Sequence, residues 1–132
     1  MKVAVTGASG FIGRHVLAAL IQREVEVVAV TRHAARLHDF DKSTHVVEMD
    51  IAGLPVNCFE ELGSPDVLIH LAWDGLPNYK SLHHFETELP RQYQFLKQMI
   101  ASGLPSLFVT GTCFEYGMQS GSLAANLPTK PD

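Results

Sequence analysis

The chain has 132 residues, a formal net charge of −4 and a hydrophobic content of 46%. This length and composition fit one globular domain without a membrane span, and the negative charge argues against binding to nucleic acid or to an anionic membrane surface. Two cysteines, Cys58 and Cys113, are too few for a disulfide framework, so we expect a reducing, cytoplasmic compartment.

Five short apolar runs recur along the chain, each rich in Val, Ile, Leu or Phe. They comprise Lys2–Thr6, Val25–Thr31, His45–Met49, Asp66–Leu71 and Ser106–Thr110. None alternates regularly between apolar and polar residues, which is typical of strands buried on both faces of a parallel sheet. Helical patterns or polar connections separate the runs. The sequence therefore predicts an α/β, Rossmann-like fold with a doubly wound parallel sheet of about five strands in the order 3-2-1-4-5.

A glycine-rich turn directly follows the first strand. Gly7, Gly10 and Gly13 have the spacing Gly-x-x-Gly-x-x-Gly. The first glycine permits the sharp turn, the second lets the backbone approach a pyrophosphate, and the third lets the helix pack closely on the strand. The free amides at the helix N-terminus then favour an anion, although a tight turn without a ligand is the alternative. The cofactor-binding residues predicted here are Gly7, Ser9, Gly10, Phe11, Ile12 and Gly13.

Apolar residues at helical spacing predict two helices, each with one stripe facing the core. The stripes consist of Ile12, Val16 and Leu20 in the first helix, and of Phe85, Leu89, Leu96 and Ile100 in the helix before the fifth strand. Pro90 is expected to begin or kink that second helix, and Gly103 with Pro105 to end it. The connection 51–65 has room for a short helix around residues 56–62.

The glycine turn and the segments after the later strands resemble the extended short-chain dehydrogenase/reductase family. That family includes NAD-dependent nucleotide-sugar epimerases, dehydratases and 4-ketoreductases. Asp50 and Ile51, after the third strand, are similar to the pair that holds the adenine, although Asp50 could instead cap a helix. The resemblance places three residues at the end of the fourth strand beside the cofactor ribose and nicotinamide, namely Leu71, Ala72 and Trp73.

The segment Thr110–Gly117 resembles the Ser/Thr-rich stretch that ends in Tyr-Gly after the family's fifth strand. The match puts Thr112 in the place of the catalytic Ser/Thr, whose hydroxyl would bind the reacting oxygen of the sugar. A threonine that only caps a turn is the alternative. Cys113 and Phe114 stand where the dehydratases carry Asp-Glu, so 4,6-dehydration is not expected, and the two residues are expected to contact substrate instead.

A turn-rich loop after the fourth strand carries Asn78 and Tyr79, which we also expect to contact substrate. No spacing typical of a metal site occurs among the seven histidines, so no metal is predicted.

The resemblance implies a catalytic Tyr-x-x-x-Lys on a helix that follows Thr112. Tyr93 and Lys97 have this spacing but precede Thr112, so we do not expect them to be catalytic. We interpret residues 1–117 as an incomplete NAD(P)-binding Rossmann domain, and residues 118–132 as an irregular segment leading to the catalytic helix and a substrate domain. We expect no turnover by this chain alone.

Arg32 follows the second strand, where NAD-preferring members of the family have a carboxylate. A guanidinium suits a 2′-phosphate, so NADP is favoured over NAD, unless Arg32 is only a solvated surface charge.

The function implied by the resemblance is hydride transfer at C4 of a nucleotide sugar, by an epimerase or 4-ketoreductase of a surface-polysaccharide pathway. The complete protein is then expected to be a homodimer that pairs through the helix before the fifth strand. One alternative is a non-catalytic dinucleotide-binding module such as a redox sensor, although a sensor would not need Thr112. An inactive fragment with an exposed sheet edge is the other.

Overall fold

The computed structural model describes residues 1–40, 42–53 and 55–131. The strands are β1 (Lys2–Thr6), β2 (Glu26–Thr31), β3 (His45–Glu48), β4 (Val67–His70) and β5 (Ser106–Val109). The helices are α1 (Phe11–Ile21), α2 (Cys58–Glu61) and α3 (Leu89–Ala101). Shorter 3₁₀ turns cover Ala34–Phe40, Ile51–Gly53 and Cys113–Tyr116, and a π-helical turn, His84–Glu88, leads into α3.

All five strands are parallel and lie in the order β3-β2-β1-β4-β5. The predicted fold class and strand order are therefore confirmed, and each strand begins and ends within one residue of its predicted bounds. Between β2 and β4 lies β1, where Val5 is level with Ala29 on one side and Ile69 on the other. The two halves of the chain thus diverge from β1, which places the carboxyl end of that strand at the switch point of the sheet.

Successive strand residues point to opposite faces of the sheet and build two core layers. On one face, Ala4, Val28 and Leu68 pack with Phe95 and Met99 of α3. On the other face, strand residues that include Val3, Val5 and Ala29 pack with Leu17 of α1 and with Leu37 of the turn Ala34–Phe40.

Burial is uneven across the sheet. The central strands β1 and β2 are almost fully buried, but Phe108 of β5 is 68% exposed and Val109 is exposed as well. The expectation that all five runs are buried on both faces is therefore wrong for β3, whose four residues are half-buried or exposed, and for β5. This strand has β4 on one side, and no strand of the described residues pairs with its other edge.

Both predicted apolar stripes are confirmed in part, since Val16 and Leu20 of the first and Leu96 of the second pack against the core. The other members need correction. Ile12 is 57% exposed, because α1 instead turns Gly13 and Leu17 to the sheet. In the second helix the apolar residues Phe85, Leu89 and Ile100 are exposed.

The buried face of α3 carries Gln92, Phe95 and Met99, and it continues into Glu88 of the preceding turn. Two polar residues thus occupy positions that hydrophobicity alone would not assign to the interior. Pro90 lies in the first turn of α3, and Gly103, with a φ of +102°, follows its end, so both helix-boundary predictions are confirmed. No helix in the described ranges is long and apolar enough to cross a membrane.

Candidate functional site

A cleft of about 300 Å³ opens at the carboxyl ends of the central strands. In parallel sheets this edge is where ligands bind. The predicted cofactor residues that line the cleft are Gly7, Ser9, Gly10, Arg32, Asp50, Ile51, Leu71, Ala72 and Trp73. Lining residues that the sequence did not single out are Thr6, Val30, Thr31, Arg36, Met49, Ala52, Asp74, Glu88, Arg91 and Gln92.

The three glycines of the turn differ in what constrains them. Gly7 has a φ of +67°, and a Cβ there would lie 2.8 Å from the amide nitrogen of Ala72. A Cβ on Gly13 would lie 2.2 Å from the carbonyl oxygen of Gly7. At Gly10 the nearest atom would be 3.2 Å away. Packing therefore requires the first and third glycines, whereas a Cβ on Gly10, which lines the cleft, would be tight against a single backbone atom.

The N-terminus of α1 faces this space with unpaired amides. Gly10 is the N-cap and has no side chain to cap the helix. Among the described residues, none accepts a hydrogen bond from the amides of Phe11 or Ile12. The side chains of these two residues are exposed and do not line the cleft. Their predicted contact with a cofactor is consequently limited to backbone N–H groups, which suit an anion.

The end of β2 contributes a hydroxyl where a carboxylate would favour NAD. Thr31 is buried, and its hydroxyl donates a hydrogen bond to the Ser9 hydroxyl at 3.0 Å, which ties β2 to the glycine turn. Arg32 is exposed, and its Nη2 lies 3.3 Å from Oδ1 of Asp74 in the loop after β4.

Arg14 of α1 holds the turn that carries Arg36, one of the arginines that line the cleft. Its guanidinium donates to the carbonyl oxygen of Arg36 at 2.8 Å and to the carboxylate of Asp39 at 2.7 Å. From the other side, the carboxylate of Glu48 accepts the amide of Ala34 at 2.7 Å. The turn Ala34–Phe40 is thereby fixed to both α1 and β3.

Asp50 combines the two roles considered from the sequence. One of its carboxylate oxygens accepts the amide of Ala52 at 3.0 Å and so caps the turn Ile51–Gly53. The residue also lines the cleft beside Ile51. Among the described residues, no donor is paired with the other carboxylate oxygen, which leaves an acceptor for a ligand.

A polar cluster on the α3 side forms the opposite wall. Glu88 is only 3% exposed, and its Oε1 accepts the backbone amide of Asp74 at 2.9 Å and the side-chain amide of Gln92. The buried Gln92 Oε1 has no partner among the described residues. The sequence signal for this wall was the spacing of Glu88 and Gln92, four residues apart on one helical face.

His70 lies beneath the cleft at the end of β4. Its Nδ1 is 2.8 Å from the hydroxyl of the buried Thr6. Burial lowers the pKa of His70, so the ring is held in its neutral form.

The loop after β4 is organised by His84. Because the Trp73 indole can only donate, its 3.0 Å hydrogen bond makes Nδ1 of His84 the acceptor. The other ring nitrogen then donates to the carbonyl oxygen of Asn78 at 2.7 Å. The two hydrogen bonds of His84 therefore fix Trp73 at the cleft.

The predicted catalytic and substrate residues lie outside the cleft, next to one another. The rings of Tyr79 and Phe114 meet edge-on, with centroids 6.4 Å apart. Thr112 caps the turn Cys113–Tyr116: its hydroxyl accepts the Phe114 amide at 3.3 Å, and its own amide donates to Glu115 at 3.1 Å. A second hollow of about 240 Å³ is lined by Thr112, Phe114, Glu115, Gly117, Met118 and Pro131. Asn78 and Cys113 are exposed.

Tyr93 and Lys97 lie on the outer face of α3. Both are exposed, the Lys97 Nζ lies 6.0 Å from the centre of the Tyr93 ring, and neither residue lines the cleft.

The sequence model of the NAD-dependent epimerase/dehydratase family matches residues 3–132. The chain is 31% identical over 132 residues to dTDP-6-deoxy-L-talose 4-dehydrogenase (NAD(+)) of Aggregatibacter actinomycetemcomitans, with 99% of this chain and 48% of the relative covered. This chain thus spans about half the length of that relative.

Solved structures with the same fold include nucleotide-sugar epimerases. UDP-glucose-4-epimerase of Stenotrophomonas maltophila, with bound NAD and formylated UDP-arabinopyranose, matches 98% of this chain and 43% of its own at a TM-score of 0.82 and 24% identity. UDP-glucuronic acid 4-epimerase of Bacillus cereus, in complex with UDP-glucuronic acid and NAD, matches 99% of this chain and 46% of its own at a TM-score of 0.74 and 23% identity. At these identities the likeness shows the fold.

Proposed function

Because the chain belongs to the NAD-dependent epimerase/dehydratase family, we propose that its cleft binds a nicotinamide dinucleotide for hydride transfer at C4 of a nucleotide sugar. The observation that carries this proposal is the glycine turn. It combines two unpaired helix amides with a position, Gly10, at which a side chain would project beside the cleft. Residues 1–117 then form the dinucleotide-binding unit, and residues 118–132 lead towards further parts of the complete protein.

In this proposal each part of a dinucleotide has its own residues in the cleft. The amides of Phe11 and Ile12 would hold the pyrophosphate, and Asp50 with Ile51 would hold the adenine. The segment Leu71–Trp73 would lie beside the nicotinamide ribose. A bound nicotinamide supplies or accepts the hydride. The residues of this chain bind and orient it, and the packed floor formed by Thr6 and His70 keeps water out from below.

NADP is the cofactor that we propose, in preference to NAD. Thr31 offers a hydroxyl in place of the carboxylate that would bind both ribose hydroxyls, and Arg32 and Arg36 supply two guanidinium groups to the same wall of the cleft. A guanidinium pairs with a phosphate through parallel hydrogen bonds. The Aggregatibacter relative is named for NAD(+), so this chain and that relative would differ in cofactor preference.

For the substrate side, we propose that Thr112 donates its hydroxyl to the reacting oxygen of the sugar. The hydroxyl remains able to donate, because in the cap it serves as an acceptor. Tyr79 and Phe114, whose rings meet, would flank the sugar together with Asn78 and Cys113. The described part of the chain brings no tyrosine to the cleft for proton transfer, so we expect residues 1–132 alone to show no turnover.

Trp73 provides a direct test because it is the only tryptophan of the chain and it lines the cleft. Excitation of Trp73 should sensitise emission from NADPH or NADH when either is bound, and calorimetry should give the same affinity. Gly10→Val should abolish both signals while leaving the far-UV circular dichroism unchanged. An absence of sensitised emission and of binding heat with either cofactor would contradict the proposal.

A non-catalytic dinucleotide-binding module is the second candidate, and the cap formed by Thr112 favours it. The hydroxyl of Thr112 accepts the Phe114 amide, which gives a structural reason for a threonine at this position, so a module without catalysis would also need it. Assays of the complete protein with NADPH and UDP- or dTDP-4-keto sugars, read as net reduction, and with UDP- or dTDP-hexoses, read as inversion at C4, would separate the two candidates, because only an enzyme would convert either sugar.

We further propose that the complete protein is a homodimer in a reducing, cytoplasmic compartment. Phe85, Leu89 and Ile100 leave an apolar strip exposed along α3 and the turn before it. In support of the reducing compartment, Cys58 and Cys113 are both free thiols. Light scattering on the complete protein, with Leu89→Glu as the disrupting variant, would test the dimer.

A further inference from the structure

Arg32 and Asp74 form an ion pair that joins the two sides of the cleft. Arg32 directly follows β2, and Asp74 lies four residues after the end of β4, with β1 between these two strands. The Nη2 of Arg32 is 3.3 Å from Oδ1 of Asp74. Strand spacing puts the ends of β2 and β4 about 10 Å apart, so the pair crosses the carboxyl end of β1, where the glycine turn begins.

Asp74 is held in place independently of Arg32. Its backbone amide donates at 2.9 Å to Oε1 of the buried Glu88. Its second carboxylate oxygen, Oδ2, lies 3.9 Å from Nε2 of His83. The backbone of Asp74 is therefore held to the cleft wall, whereas the side chains of both Arg32 and Asp74 are more than half exposed, so the long Arg32 side chain can turn to another anion.

We propose that Asp74 is a specificity-determining residue that competes with the 2′-phosphate of the cofactor for Arg32. This inference rests on the proposed dinucleotide function of the cleft. A 2′-phosphate would have to displace Asp74 from the guanidinium, and the remaining carboxylate would repel it. A cofactor without that phosphate would leave the ion pair in place. Asp74 thus lowers the preference for NADP that Arg32 creates, without any contact with the cofactor.

The test compares two ligands that differ only in the 2′-phosphate, namely adenosine 2′,5′-bisphosphate and 5′-AMP. Their affinities are measured by calorimetry at low ionic strength for the full chain and for Asp74→Asn. Because exposed ion pairs are weak, we expect Asp74→Asn to tighten the bisphosphate about two- to fivefold. Binding of 5′-AMP should stay unchanged. The ratio of NADH to NADPH dissociation constants should rise by the same factor.

A double-mutant cycle isolates the pair. Arg32→Gln should weaken the bisphosphate about tenfold, and Asp74→Asn added to it should give a smaller gain than in the wild-type chain, because only the direct repulsion of the phosphate is then relieved. The matched control is Glu60→Gln, which removes one negative charge at an exposed position of α2. It should leave the affinities for the bisphosphate and for 5′-AMP unchanged. Asp74→Ser serves as a second variant should Asp74→Asn fail to fold, as judged by its urea transition.

The outcomes separate this inference from the proposed function. If the wild-type chain binds NADPH but Asp74→Asn leaves the bisphosphate affinity unchanged, the competition is refuted and the dinucleotide function stands. If Asp74→Asn weakens 5′-AMP, the carboxylate contacts the ribose directly, which also refutes the competition. If the wild-type chain binds none of these ligands, both proposals fail.

Discussion

A Cβ atom on Gly13 would lie 2.2 Å from the carbonyl oxygen of Gly7, across the contact between α1 and the turn that precedes it. The obstacle is backbone, so a side chain there can be accommodated only by moving the helix away from the sheet. Packing therefore fixes the third glycine of the motif, independently of any ligand.

This difference predicts that an alanine at position 13 mainly destabilises the fold, whereas an alanine at position 10 mainly weakens cofactor binding. Gly13→Ala should lower the free energy of unfolding by about 3 kcal/mol, because overpacking against backbone is not relieved by a rotamer change. Gly10→Ala should cost less than about 1 kcal/mol, since only one atom approaches its Cβ, and should mainly reduce NADPH binding. Gly53, whose Cβ would meet nothing within 4 Å, gives the control Gly53→Ala. Urea unfolding measures all three, and equal losses for Gly10→Ala and Gly13→Ala would contradict the assignment.

Arg14 should influence cofactor binding without lining the cleft. Its guanidinium bonds to Arg36 and Asp39 and lies over the Phe40 ring at 5.2 Å, so it fixes the turn behind Arg32. We expect Arg14→Gln to lower the unfolding free energy by about 1 kcal/mol, and to speed amide exchange in residues 34–40.

The matched control is Arg23→Gln. In the described part of the chain the Arg23 side chain bonds to the Ala19 carbonyl alone, beyond the end of α1 that is opposite the glycine turn. Hydrogen–deuterium exchange should distinguish the two variants, and NADPH should bind Arg14→Gln more weakly than Arg23→Gln. Identical exchange in residues 34–40 would show that Arg14 does not hold the turn.

The buried ring of His70 predicts a pH dependence of stability. Its pKa is lowered by burial in the folded state, so the unfolded chain takes up a proton more readily. The contribution of neutral His70 to the free energy of unfolding should therefore be fully present above a pH of about 6.5, and it should be lost as the pH drops below that value.

The variant His70→Asn keeps a polar group near the Thr6 hydroxyl but cannot titrate. It should be less stable at neutral pH and should lose less stability than the wild type between neutral and mildly acidic pH. His45→Asn, at an exposed strand end, should retain the wild-type slope. Equal slopes for all three proteins in urea titrations would exclude His70 as the source.

Removal of the His84 hydrogen bonds should release the loop after β4. His84→Phe keeps an aromatic ring beside Trp73, where the centroids are 6.2 Å apart, but loses the bonds to the indole and to the Asn78 carbonyl. We expect faster amide exchange in residues 74–83 and a red shift of Trp73 emission. His45→Phe is the control, and an unchanged spectrum in His84→Phe would show that stacking alone positions Trp73.

The sheet and its strand order were predictable because their signals are local. Runs of apolar residues define the strands, and Gly7, Gly10 and Gly13 mark the first turn. The buried face of α3 was not predictable from periodicity, since Glu88 and Gln92 are interior because of the bonds that they make with each other and with Asp74.

The candidate site was likewise predictable only in part. Nine of the predicted cofactor residues line the cleft because they belong to segments that directly follow strands. Arg36, Arg91 and Glu88 reach it from elements whose orientation depends on tertiary packing. The pairing of Arg32 with Asp74, 42 residues apart, has no sequence signal at all. The roles proposed for Thr112, Asn78, Tyr79, Cys113 and Phe114 remain predictions.

The sheet is also unequal in local stability across its width. Its central strands β1 and β2 have two neighbours each and little solvent exposure, whereas β5 has β4 alone, and Phe108 and Val109 on it already face solvent. Detaching β5 therefore exposes little additional apolar surface and leaves the glycine turn intact. We therefore expect the cleft and the segment that carries Thr112 to unfold as two separate cooperative units. The molecule can lose order at the second while the first remains folded.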